Sequence, residues 1–103
     1  MIRVNVFYPR KDGAGFDWAY YLGTHIPLVR RKLGAALLNI AVEQGIAGIP
    51  AESPAAFVAL AQMSFESVPA FQAAFTPHSA EIMGDIPNYT TIQPIIQISE
   101  VRL

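Results

Sequence analysis

The chain has no cysteine and little charge. Its 103 residues carry seven Lys and Arg, eight Asp and Glu, and a net charge of −1. The missing cysteine excludes disulfides and thiolate chemistry. Charged residues are 15% of the chain, well under the ~25% of an average domain. No apolar run approaches the ~20 residues of a membrane-spanning helix, so no membrane partner is expected. The basic residues are scattered apart from Arg30-Arg31-Lys32, a triplet better suited to a helix C-terminus than to phosphates. No nucleic-acid partner is expected either. Histidines and carboxylates form no cluster at metal-ligand spacing, so no metal is expected. Phosphate-binding loops, nucleophile elbows and dinucleotide fingerprints are all missing. Met1-Ile-Arg-Val-Asn-Val6 lacks the basic-then-apolar design of a signal peptide, which points to the cytoplasm.

What is present is greasy: 52% of the residues are apolar. A chain this long makes one domain, residues 1–103. Folding would bury roughly 60–65% of its extended surface. With so few charges to cover the remainder, a second buried face is expected, most simply a subunit interface.

Residues 2–8 alternate, with Ile2, Val4, Val6 and Tyr8 on one face and Arg3, Asn5 and Phe7 on the other, as in a strand. Pro9 ends it and residues 11–15 form a loop. A helix runs from the N-cap Asp17 to Leu33, stopped by Gly34. At 100° per residue, Trp18, Leu22, His25, Val29 and Leu33 share one face, with Tyr20, Thr24 and Arg31 opposite. Pro27 disturbs this helix. It predicts either a kink or two pieces, the second capped by Thr24. Further strands are expected over residues 37–46, 57–66 and 91–103. Pro94 would make the last an edge strand or a bulged one. Ser67 caps a second helix with Val68, Phe71 and Phe75 as its stripe, and Thr76-Pro77 restarts a short one. The order is βαββαβ. With right-handed crossovers it is a ferredoxin-like α+β fold: a four-stranded antiparallel sheet with the helices on one face. Both strand faces carry large apolar residues, so two subunits are expected to pack sheet to sheet and close a dimeric α+β barrel.

His25 is the first candidate site residue, because an imidazole on an apolar helical face suits general acid/base work. His78 and Asp85, seven residues apart, are a candidate pair in which the carboxylate would orient the ring. Trp18, Tyr21 and Tyr89 offer aromatic walls with polar handles for a substrate. Asn5 and Gln97 are strand amides that could meet a ligand or the partner subunit.

Two motifs, Phe16-Asp-Trp-Ala-Tyr-Tyr-Leu-Gly-Thr-His-Ile-Pro-Leu28 and Gly84-Asp-Ile-Pro-Asn-Tyr-Thr90, together with Pro94-Ile-Ile-Gln97, resemble the EthD-like family of the dimeric α+β barrel superfamily. That family is named for ethyl tert-butyl ether degradation. The resemblance spans essentially the whole chain. It implies a homodimer with a pocket between helices and sheet in each subunit, and a structural role at least for Asp85. The wider superfamily includes lactone isomerases, polyketide cyclases, cofactor-free monooxygenases and haem-degrading enzymes. The expected function is therefore a cofactor-independent enzyme acting on a small hydrophobic cyclic or aromatic metabolite. The alternatives are a non-catalytic binding protein serving a degradative oxygenase, and haem binding through His25 or His78.

Overall fold

Strand β1 (Ile2–Pro9) lies inside a four-stranded antiparallel sheet, with β4 (Ile95–Glu100) on one side and β3 (Phe57–Phe65) on the other. Beyond β3 lies β2 (Asn39–Gln44), giving the order β2-β3-β1-β4. The computed structural model describes all 103 residues. Three helices complete the α+β, ferredoxin-like fold: α1 over residues 18–33, α2 (Val68–Phe75) and α3 (Ser79–Gly84). No helix is long and apolar enough to cross a membrane.

Alternation along β1 decides what each face of the sheet carries. Val4 sits opposite Met63 and Ile98, and Val6 opposite Ala61 and Ile96. These are the residues under the helices. The other face pairs Asn5 with Gln62 and Gln97, and Arg3 with Ser64 and Ser99. It is more polar than the sequence reading expected. Its large apolar members are Phe7, Leu60, Ile95 and Phe57. Phe57 belongs here because the β1–β3 register slips between Tyr8 and Pro9, so its ring packs on Phe7 at 5.1 Å. Unbroken alternation along β3 would put it on the Phe65 side instead.

The last strand begins after Pro94, not before it. A proline has no N–H for the ladder with β1, so pairing starts at Ile95. Gly45 closes β2 where its backbone meets that of Phe57 and Val58, too close to admit a Cβ.

Helix α1 is not two pieces with Thr24 capping the second; the irregularity beside Pro27 is a π turn. The helix is continuous: α-helical over Trp18–Tyr20, π-helical over Tyr21–His25, and α-helical again over Ile26–Leu33. The π turn holds one extra residue, with the Ile26 N–H bonded to the Tyr21 carbonyl, and the proline follows within the tolerant first turn. The inserted residue rotates the stripe. Leu22, expected in the core, is 53% exposed, and Tyr21 and Ile26 are buried with Val29 and Leu33. Asp17 caps the start, its carboxylate accepting from the Tyr20 N–H. Gly34 ends the helix at positive φ. Ser67 caps α2 through the Ala70 N–H. Within α2 only Phe71 is buried, with Phe75 partly so and Val68 exposed.

Two clusters make up the core. One is aliphatic and phenyl: Ile2, Val4, Val29, Leu33, Phe65, Phe71 and Ile82. The other carries three tyrosines, Tyr8, Tyr21 and Tyr89, with Ile26, Ala59 and Ile92.

Candidate functional site

The segment after α3 sets the geometry. It coils into a 3-10 turn, Ile86–Asn88, and returns beside the start of α1. The Asp17 N–H donates to the Tyr89 carbonyl at 2.8 Å, and the Thr90 hydroxyl to the Gly15 carbonyl at 2.8 Å. Those bonds hold Asp85 and Tyr89 against the π turn.

His25 is 5% exposed, and its Nδ1 lies 2.8 Å from Asp85 Oδ2. The other carboxylate oxygen accepts from Tyr20 Oη at 2.6 Å and from Asn88 Nδ2 at 2.9 Å. Burial disfavours an ionised Asp85. The hydrogen bonds from Tyr20, Asn88 and His25, with the attraction of His25, outweigh it and hold the carboxyl below its ordinary range. An ionised carboxylate only accepts, so Nδ1 carries a hydrogen. In the neutral ring, Nε2 is then a bare lone pair. It faces Tyr89 Oη at 3.4 Å, and Tyr89 Oη meets Tyr8 Oη at 2.7 Å. Burial pushes the phenols of Tyr8, Tyr21 and Tyr89 upward, so all three stay protonated. The hydrogen bond to Asp85 does the same for Tyr20. The imidazole also stacks on Tyr21, their ring centres 5.5 Å apart.

A cavity of about 200 Å3 lies between sheet and helices. Val4, Val6, Ala61 and Met63 form its floor, Phe71, Phe75 and Ile82 its far wall, and Tyr8, Tyr21 and His25 its one polar corner. No Lys, Arg, Asp or Glu lines it.

The sequence candidates separate accordingly. His25 and Tyr21 line the cavity, and Asp85 and Tyr89 stand behind His25. Trp18 does not line it, being packed on Phe16 and Tyr21. Asn5 and Gln97 lie on the opposite face of the sheet, because alternation puts Val4 and Val6 toward the cavity, and so they cannot line it. His78 does not meet Asp85. It ends a 3-10 turn with non-helical backbone, which breaks the helical phase linking the two positions, and Asp85 pairs with His25. Tyr20, Asn88 and Tyr8 are the site residues the sequence reading left out. Tyr20 had been placed on the far side of an ordinary α-helix. A π turn closes i→i+5 bonds and brings Tyr20 and His25 to the same side. Tyr8 had a usable signal, since a buried tyrosine hydroxyl needs a partner.

No group of three His, Cys, Asp or Glu side chains converges to hold a metal. Asp85 and Tyr89 contact the two ring nitrogens of His25, so neither nitrogen is free to ligate a haem iron in this arrangement.

A sequence model of the EthD domain matches residues 15–93. The chain is a member of the EthD family. The matched stretch includes His25, Asp85 and Tyr89, and Tyr8 precedes it. Solved EthD structures agree. An EthD-like protein from Ralstonia eutropha JMP134 is 49% identical, with a TM-score of 0.93 over 99% of this chain and 92% of that one. An ethyl tert-butyl ether degradation (EthD) family protein from Bacillus halodurans C-125 is 20% identical, with a TM-score of 0.76 over 99% of both chains. An antibiotic biosynthesis monooxygenase shares the fold at 12% identity and a TM-score of 0.51 over the full length of both. No curated protein matches.

Proposed function

We propose that this EthD protein is an enzyme that moves a proton on a compact, neutral, hydrophobic ring compound bound in the cavity, with His25 as the acid/base. The observation that carries this is a buried imidazole at the single polar corner of an apolar cavity, its Nδ1 2.8 Å from the Asp85 carboxylate. Asp85 is a positioning residue. It holds Nδ1–H and stabilises the imidazolium formed when Nε2 takes a proton.

Size and charge define the substrate class. A dry engineered cavity of about 150 Å3 holds benzene, so about 200 Å3 accommodates one substituted ring. A carboxylate would find no Lys or Arg in the lining. Proton transfer of this kind serves isomerisation, cyclisation and the ionisation step of an oxygenation, and it draws only on the chain's own side chains.

The test is turnover. Purified protein is incubated with single-ring phenols, lactones and ketones, and new masses are sought. Products formed by the wild type should vanish in His25→Ala while circular dichroism stays native. Unchanged turnover in that variant would defeat the reading. Retention of a compound without conversion would instead favour the binding-protein alternative.

The protein works as a homodimer in this reading. Asn5, Gln62 and Gln97 form an amide row across the uncovered sheet face, flanked by Phe7, Phe57 and Ile95. Amides both donate and accept, so such a row pairs with a two-fold copy of itself. Sedimentation at micromolar concentration should give twice the chain mass. A single-chain mass would remove the dimer.

A further inference from the structure

We propose that Tyr8, and not His25, takes the ligand's proton first, and that the cavity therefore selects a ring bearing a hydroxyl or enol O–H. This rests on the acid/base reading of His25 given above.

Hydrogen counting supports it. Asp85 only accepts, so Nδ1–H of His25 points at it over 2.8 Å. Nε2 is then an acceptor, and the Tyr89 hydroxyl donates to it. Tyr89 has spent its one hydrogen, so in the 2.7 Å bond between the tyrosines it must accept, and Tyr8 donates. Every hydrogen in the chain Tyr8, Tyr89, His25 points toward the carboxylate. Tyr8 lines the cavity and Tyr89 does not. The end of the chain nearest the ligand is thus a phenol oxygen whose hydrogen is already committed; the neighbouring Tyr21 hydroxyl fills one of its two lone pairs and leaves the other for the ligand. A ligand that only accepts gains nothing there. A ligand O–H gains a hydrogen bond.

The same chain carries a proton. The ligand O–H bond breaks and its hydrogen bonds to Tyr8 Oη. As it does, the Tyr8 hydrogen passes to Tyr89 Oη and the Tyr89 hydrogen to His25 Nε2. The ligand keeps the electron pair as a phenolate or enolate, the imidazole becomes imidazolium beside Asp85, and both tyrosines end neutral. Reversal returns a proton to the ligand. Burial raises both phenols, so neither tyrosine rests as an anion and the three transfers are coupled.

Phenol and its methyl ether anisole are the probes, titrated against the protein and followed by NMR. The wild type should bind phenol about ten-fold more tightly than anisole, the worth of one hydrogen bond. In Tyr8→Phe the preference should fall to within twofold. Equal binding of the two by the wild type, or a preference that survives Tyr8→Phe, would overturn the role of Tyr8 and leave the cavity reading standing. Failure of both to bind would overturn the cavity reading and this proposal together. The relay has its own readout. 4-Nitrophenol is yellow only when ionised. Bound to the wild type in mildly acidic buffer it should turn yellow. In Tyr89→Phe it should bind within about threefold of wild type and stay colourless. A yellow complex with that variant would overturn the relay.

Discussion

The two halves of the core hold together in different ways. Around Phe65, Phe71, Leu33 and Ile82, contact alone does the work, and any hydrocarbon of the right volume would serve. Around Tyr8, Tyr21 and Tyr89, rings also pack, at centre distances of 4.9 to 6.0 Å, yet each hydroxyl needs a direction as well as a place. No buried side-chain polar atom lacks a partner. The difference teaches that the polar network occupies one end of an otherwise ordinary core. That end is constrained by hydrogen-bond donors and acceptors in addition to volume.

The largest expected effect breaks the apolar half. Phe65 is fully buried, 0% exposed, and Phe65→Ala should cost about 3–5 kcal/mol of stability. In urea unfolding the midpoint should drop, and the tautomer of His25, read by nitrogen NMR, should not change. A tautomer change would show that the two halves are not separable.

A smaller effect should come from the polar half. Asp85→Asn should cost about 1–3 kcal/mol at neutral pH, because the buried His25 loses its ionic acceptor, and it should release the tautomer of His25. Its pH dependence has a definite sign. The Asp85 carboxyl is held below its ordinary value in the folded state, so its stabilisation is complete above about pH 3.9. It is lost as the pH falls through the lower folded value. The gap between wild type and Asp85→Asn should narrow at acid pH in urea titrations. A gap that widened there would contradict the depressed carboxyl.

Much of the architecture was legible because it follows from short-range rules. Period-two runs gave β1 and β3, Asp17 and Ser67 announced their helices, and Gly34 announced an end. The site was less legible for reasons its residues make plain. Pro27 has several backbone solutions, and the one adopted depends on what the helix packs against. With the wrong solution, Leu22 went to the core and Tyr20 away from the carboxylate. Tyr8 was placed on the correct face, but its hydroxyl partner lies 81 residues along the chain. No local pattern encodes a bond over that distance. Asn5 and Gln97 stayed open between a ligand and a partner subunit because alternation says which strand residues share a side and not which side the helices choose.

The extra residue within α1 divides that helix into two phases. Residues 26–33 are timed to the sheet, and residues 18–25 to the turn holding Asp85. An evenly wound helix could satisfy one schedule only. The sheet-facing frame and the corner that holds His25 against Asp85 are thus set by separate clocks on a single rod, so the frame can remain constant while the corner is retuned by changes on the N-terminal side of Ile26.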